Sequence, residues 1–266
     1  MRLLITGGGG FVGARLARTL LARGTLAGQP ITGVVLADQI APPADLLADR
    51  RVSARVGPLL DQCAALADED FDGVFHLASA VSGECEADFD LGMRSNLDST
   101  RALLEALRRR QLQQGRLTRL VFSSSVAVFG PDASVPLPAV VADDTLPAPQ
   151  TSYGVQKLMC EHMLADFTRK GFVDGRAARL MTVTVRPGRP NGAASSFFSG
   201  IIREPLAGEE AICPVGADVR HPVSSPSSAV AGLIAVYEAG RDAFGGRLGL
   251  NLPALNVSVG EMLDAL

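Results

Sequence analysis

The chain has 266 residues, 47% apolar and 20% charged, enough for one large domain or a domain with a small lobe around a sizeable core. A net charge of −3 excludes the basic footprint of a nucleic-acid binder, and no apolar run reaches the roughly 18 residues of a membrane span. The four cysteines (Cys63, Cys85, Cys160, Cys213) are far apart and form no C-x-x-C pair, which predicts reduced thiols in a cytoplasmic protein.

The amino terminus enters an apolar strand, residues 3–6, at once, and no signal peptide is expected. Gly7, Gly10 and Gly13 follow at G-x-x-G-x-x-G spacing and open an amphipathic helix over 11–23. A helix start carries unpaired N–H groups and the positive end of the dipole, and glycine lets a pyrophosphate approach that backbone. A second strand, 31–37, ends in Asp38, whose carboxylate suits the ribose hydroxyls of an adenosine and repels a 2′-phosphate, favouring NAD over NADP. A weak third strand is predicted at 52–56, a fourth at 73–78, one long helix over 88–110, and a fifth strand at 120–122 running into Ser123-Ser124-Ser125. Arg108-Arg109-Arg110 is expected to be a solvated helix end. Residues 131–149 hold five prolines and read as an ordered surface loop; a helix is predicted over 152–170 and a sixth strand over 181–186. This βαβα order implies a parallel sheet covered on both faces. Beyond Pro187 the chain becomes rich in Gly, Pro and Ser, with short helices at 196–202 and 227–238, as in a smaller lobe capping the carboxyl edge of the sheet. The expected division is 1–187 for the dinucleotide-binding domain and 188–266 for the lobe. The chain stops near a helix start, and its carboxyl terminus is expected to be incomplete.

Tyr153 and Lys157 lie four apart on one helical face. A free phenol, with a pKa of about 10, is a poor base near neutrality, but an adjacent ammonium favours the phenolate, which can take a proton from an alcohol. Of the three serines after the fifth strand, two are expected to satisfy turn backbone and Ser125 to face a substrate. His76, inside an apolar strand, reads as structural; His162 faces away from Tyr153; the three histidines give no metal-ligand spacing.

Together these residues resemble the extended branch of the short-chain dehydrogenase/reductase superfamily, the NAD-dependent epimerase/dehydratases. The resemblance rests on Thr6-Gly7-x-x-Gly10-x-x-Gly13, Asp38, His76-Leu77-Ala78, Asn96-x-x-Ser99-Thr100, Phe122-Ser123-Ser124-Ser125, Val128-Phe129-Gly130, Tyr153-x-x-x-Lys157 and Arg186-Pro187-Gly188. It implies a Rossmann-type doubly wound α/β fold with a smaller carboxyl-terminal substrate-binding lobe, an NAD cofactor, and a homodimer built through helices 88–110 and 152–170. It implies a catalytic set of Ser125, Tyr153 and Lys157. Cofactor contacts would come from Gly7, Gly10, Phe11, Val12, Gly13, Asp38, Ala78, Asn96, Tyr153, Lys157 and Pro187. Val126-Ala127 stand where sugar-nucleotide dehydratases of this branch carry an Asp-Glu pair, so β-elimination is not expected. Pro58 stands where members often carry an adenine-touching Asp.

The segments 186–197, 202–208, 218–223 and 250–255 are similar to a narrower group of sugar-acid dehydrogenases in this branch. That similarity implies NAD-dependent oxidation of the C2 hydroxyl of a four-carbon sugar acid, D-erythronate to 2-oxo-tetronate; the alternative is an NDP-sugar 4-epimerase with retained NAD. A sugar acid needs a cation for its carboxylate and hydroxyl partners for its diol. The candidates are Arg189 or Arg220, with Ser79, Ser125, Tyr153, Asn191, Ser195 and Ser196.

Overall fold

The computed structural model describes residues 1–188, 192–246 and 249–266. Seven parallel strands form its main sheet: β1 (Arg2–Thr6), β2 (Gly33–Asp38), β3 (Val52–Val56), β4 (Gly73–His76), β5 (Arg119–Ser125), β6 (Asp174–Leu180) and β7 (Gly249–Asn251). Their order across the sheet is β7-β6-β5-β4-β1-β2-β3. The direction of winding reverses at β1 and β4, and the crevice beyond the carboxyl ends of these two strands is where such sheets bind ligands.

Alternation along the central strands supplies two cores, since successive side chains point to opposite faces. Leu3, Ile5, Val34, Leu36, Phe75 and Val121 pack on one face against helices Phe11–Arg23 and Pro226–Glu238. Leu4, Val35, Val74, Leu120 and Phe122 pack on the other, against helices Leu59–Ala67, Ser99–Gln114 and Ser152–Arg169. A small sheet of Thr182–Val183, Arg220–Ser224 and Leu255–Ser258, with helices Phe197–Leu206 and Val259–Asp264, builds a separate apolar cluster around Phe198, Ile201, Val259 and Met262.

Several expectations change. The sixth strand is Asp174–Leu180, and residues 182–183 are instead a short strand of the small sheet. The sequence of β6, Asp-Gly-Arg-Ala-Ala-Arg-Leu, hides the strand because two arginines sit at buried positions. Arg176 bonds the carbonyls of Val236, Tyr237 and Ala239, closing the end of helix Pro226–Glu238, and Arg179 pairs with Glu161. β7 comes from the late part of the chain and was not expected. The helix predicted over 88–110 is helix Phe89–Gly92, a π-helical turn at Met93–Asp98, and helix Ser99–Gln114, which ends on Gly115 at φ 68°. Arg110 is therefore no solvated helix end: it is 2% exposed, donates to the Phe71 carbonyl at 2.7 Å and lies 2.9 Å from the Asp70 carboxylate. The proline-rich segment after Val128 has no helix or strand before Ser152; its Asp143 accepts from the Asn251 amide at 2.7 Å and ties the loop to β7.

Candidate active site

The glycine turn sits between the carboxyl ends of β1 and β4. Gly7 has φ 71°, and a Cβ there would lie 2.8 Å from the Ala78 nitrogen; a Cβ on Gly13 would lie 2.1 Å from the Gly7 oxygen. Both are thus required by backbone packing, helix on strand. Gly10 is different: its Cβ would meet the Gly7 oxygen at 3.3 Å and nothing else nearby, so that face is open to a ligand. The helix that follows has no side-chain cap and no acid in its first turn, leaving its positive end available to a phosphate. Asp38 lies against the same turn, its Oδ2 accepting from the Gly9 and Gly10 amides at 2.9 and 3.2 Å. An open glycine face, an uncapped helix start and a carboxylate at the end of β2 fit a dinucleotide.

Behind the turn, Thr6 Oγ1 accepts from the Leu77 and Ala78 amides, both at 3.2 Å, and meets His76 Nδ1 at 2.7 Å. His76 Nε2 meets Thr100 Oγ1 at 2.8 Å, and Thr100 donates to the Asn96 carbonyl at 2.5 Å. The Thr6 proton therefore goes to Nδ1 and the imidazole proton sits on Nε2, a neutral tautomer imposed by its neighbours. Burial, and secondarily the Lys157 ammonium, push His76 down to about 3. The histidine is structural, as expected, but its partners are hydroxyls.

Helix Ser152–Arg169 begins on Thr151, whose side chain accepts from the Gly154 amide at 3.1 Å. Tyr153 is half-buried and Lys157 is 2% exposed. Lys157 Nζ donates to the Ser123 carbonyl at 2.8 Å and lies 5.5 Å from the centre of the Tyr153 ring, on the side predicted by their spacing. Ser125 ends β5 and accepts from the Ala127 amide at 3.1 Å, a bond that does not use its hydroxyl proton. Among the three serines it is thus Ser125 that serves the turn. Ser123 donates to the His76 carbonyl and Ser124 to the Glu161 carboxylate.

Asn96 occupies the π-helical turn and is 3% exposed. Its Oδ1 accepts from Ser79 Oγ and the Ala80 amide at 2.9 and 2.7 Å, and its Nδ2 donates to Gln156 Oε1 at 2.8 Å. Ser79 and the segment after β4 are thereby fixed to the helix of Tyr153.

Ala194 donates to Ser82 Oγ at 3.0 Å and Gly83 to the Gly192 carbonyl at 3.0 Å, which ties the chain flanking Ser195 and Ser196 to the segment after β4. Arg186, beyond the small-sheet strand Thr182–Val183, is half-buried; its Nη2 donates to Ser195 Oγ at 2.8 Å and its guanidinium lies 6.0 Å from the centre of the Phe11 ring. Burial lowers its pKa from the ordinary arginine value, while the nearby Tyr153 pulls it back up. Arg186 entered the sequence reading only as part of a motif; nothing in its spacing distinguishes it from Arg189. Pro187 is exposed beside it. Arg220 is exposed, bonds the Asn256 carbonyl at 2.9 Å and lies 3.3 Å from Glu261. Arg189 and Asn191 lie outside the described residues.

A doubly wound parallel sheet with a glycine cradle at its switch point and a Tyr-Lys helix alongside defines a dinucleotide-dependent oxidoreductase class. The model of the NAD dependent epimerase/dehydratase family matches residues 3–224. The chain belongs to that family, and NAD is its cofactor. It is 51% identical over 272 residues to D-erythronate dehydrogenase of Cupriavidus necator, covering 100% of this chain and 81% of that protein. To D-erythronate dehydrogenase of Haemophilus influenzae it is 42% identical over 270 residues, with the same coverage. A crystal structure described as the nucleoside-diphosphate-sugar epimerase from Agrobacterium tumefaciens superposes with a TM-score of 0.93 at 44% identity, covering 100% of this chain and 77% of that one.

Proposed function

We propose that the chain oxidises the C2 hydroxyl of D-erythronate to 2-oxo-tetronate. One observation carries this reading: the chain is 51% identical, along its whole length, to a D-erythronate dehydrogenase, and its Lys157 lies beside the Tyr153 ring while bonding the Ser123 carbonyl of the strand that ends in Ser125. Bound NAD supplies the two-electron acceptor. Gly10 with Phe11, Val12 and Gly13 at the helix start would hold its pyrophosphate on the turn that Gly7 allows, Asp38 would hold its adenosine ribose, and Ala78 and Pro187 would line its path toward Tyr153 and Lys157, with Asn96 holding the segment after β4 in place. The Tyr153 oxygen takes the hydroxyl proton of the substrate. The Ser125 hydroxyl donates to the same substrate oxygen, and Lys157 keeps a buried positive charge beside the tyrosine. Val126 and Ala127 offer no carboxylate for elimination.

The substrate carboxylate is assigned to Arg186, with Ser79, Ser195 and Ser196 for the diol; Arg189 and Asn191 complete the set on the same segment. Arg186 is favoured over Arg220 because it is half-buried and within electrostatic reach of Tyr153, whereas Arg220 is exposed. NADH absorbance followed with NAD and D-erythronate tests the reading, and steady NADH release is the expected result. In the same assay Arg186→Met is expected to raise KM by about 10–100-fold with NAD affinity unchanged, the loss of one charge-assisted contact. No NADH from the wild-type enzyme, with UDP-sugars interconverted instead, would leave the epimerase reading.

A homodimer through helices Ser99–Gln114 and Ser152–Arg169 is also proposed. Leu164 is buried and Met163 and Phe167 pack on the core, but Val155 and Met159 on the second helix stay 42% exposed, and Phe89, just before the first, 60%. Sedimentation is expected to show a dimer, and the pair Val155→Glu, Met159→Glu a monomer. No described helix is long and apolar enough to cross a membrane. Four free thiols, three of them buried, suit a reducing compartment, and the cytoplasm is the proposed site of action.

A further inference from the structure

We infer that the buried Glu161–Arg179 pair is a positioning device, clamping the strand end that carries Ser125 to the helix that carries Tyr153 and Lys157. The inference rests on the catalytic assignment above and extends it to residues that touch neither substrate nor cofactor.

Tyr153, Lys157 and Glu161 are spaced by four and again by four along helix Ser152–Arg169, so they stand one above another on a single face. The lower two grip consecutive residues of β5. Lys157 Nζ holds the Ser123 carbonyl at 2.8 Å, and Glu161 Oε1 accepts from the Ser124 hydroxyl. Arg179, the register partner of Ser124 on β6, completes the grip with two parallel bonds to Glu161, Nε to Oε1 at 3.0 Å and Nη2 to Oε2 at 2.8 Å. The same guanidinium lies 4.9 Å from the centre of the Phe129 ring. Ser124 and Phe129 are the two flanks of the segment 125–128, which contains Ser125 and its turn. One buried ion pair therefore holds both flanks.

The pair is enclosed: Glu161 is 0% and Arg179 2% exposed. On its outer side β7 passes with bare backbone, because a Cβ on Gly249 would lie 2.9 Å from both Arg179 Nε and Glu161 Oε2. A fully buried ion pair gains little stability over apolar side chains of the same volume, because desolvation offsets its attraction. What it does supply here is direction. Two fixed acceptor oxygens and a planar five-donor fork set the strand-to-helix register, which apolar packing leaves free to slide.

Three variants test this on the full chain: Ser124→Ala, which removes the hydroxyl link and leaves the ion pair whole; Ser124→Thr, which keeps the hydroxyl; and the double variant Glu161→Gln, Arg179→Met, which removes both charges together and so strands neither. NAD affinity, kcat and KM are measured, with hydrogen exchange of the amides. The expected result is a kcat lower by about tenfold in Ser124→Ala and about 100-fold in the double variant, the scale of a small misplacement of reacting groups, with KM and NAD affinity unchanged. Ser124→Thr is expected to restore kcat. Exchange is expected to rise at residues 125–129, the Ala127 amide included, and not in helix Pro226–Glu238. A folded double variant with wild-type kcat and unchanged exchange at 125–129 overturns the inference, as does exchange that rises throughout the molecule. If the wild-type enzyme releases no NADH from D-erythronate, the functional reading fails by itself, and local exchange still decides whether the pair clamps the Ser125 turn.

Discussion

Tyr153→Phe is expected to lower kcat by about 10²–10⁴-fold, the range contributed by a positioned proton acceptor, while NAD still binds. The substitution removes one oxygen and leaves the ring, which packs half-buried beside the Lys157 ammonium 5.5 Å from its centre. The Lys157 anchor on the Ser123 carbonyl does not involve the phenol, so the seating of the helix on β5 is kept. Stopped-flow or steady-state turnover, with NAD affinity measured separately, makes the check. Activity equal to wild type would remove Tyr153 from the mechanism and leave Ser125 as the group closest to the reacting hydroxyl.

A second large effect is expected from a residue that does no chemistry. Gly154→Ala puts a Cβ 2.1 Å from the Ala127 oxygen and 3.0 Å from Pro149. Neither the backbone of the Ser125 turn nor the start of the Tyr153 helix can yield alone, so the two must separate. Overpacking of this kind costs about 1–3 kcal/mol in stability. The loss in kcat is expected to be larger than stability suggests, about 100-fold, since the displacement lies between Ser125 and Tyr153. Urea unfolding and turnover of the same preparation separate the two effects. Gly154→Ala with wild-type turnover would mean that Ser125 and Tyr153 need not hold their present spacing.

The parts of this molecule that were legible in the sequence are those governed by local rules. The glycine turn, Asp38 at the end of β2, the Tyr153–Lys157 spacing and the helix Phe11–Arg23 follow from backbone geometry or from the period of one helix, and each lies where its spacing put it. What was missed depends on distant partners. β6 was hidden because Arg176 and Arg179 read as surface residues until the carbonyls of 236–239 and the Glu161 carboxylate appear opposite them. Arg110 looked solvated because nothing in its helix announces the Phe71 carbonyl that receives it. The π-helical turn at Asn96 has no period of its own in sequence; its reason is the ring of partners at Ser79, Ala80 and Gln156. Arg186 is picked out only by its burial and its bond to Ser195, and the role of Gly154 only by what lies across from it.

The satisfaction of Arg176 has a consequence for how the chain is made. Its three acceptor carbonyls, each 2.7 Å away, lie 60 to 63 residues further along, and β7, which covers the outer edge of β6, comes later still. During synthesis the ribosome releases β1 to β5 with their helices well before either arrives. For that interval β6 is an open edge whose Arg176 has Asp174 as its ion-pair partner but lacks the three carbonyls, the kind of strand that pairs with a neighbouring chain. Addition of residues 236–251 is thus the step that covers this edge of the nascent sheet, and slow translation of that stretch should lower soluble yield without altering any property of the folded enzyme.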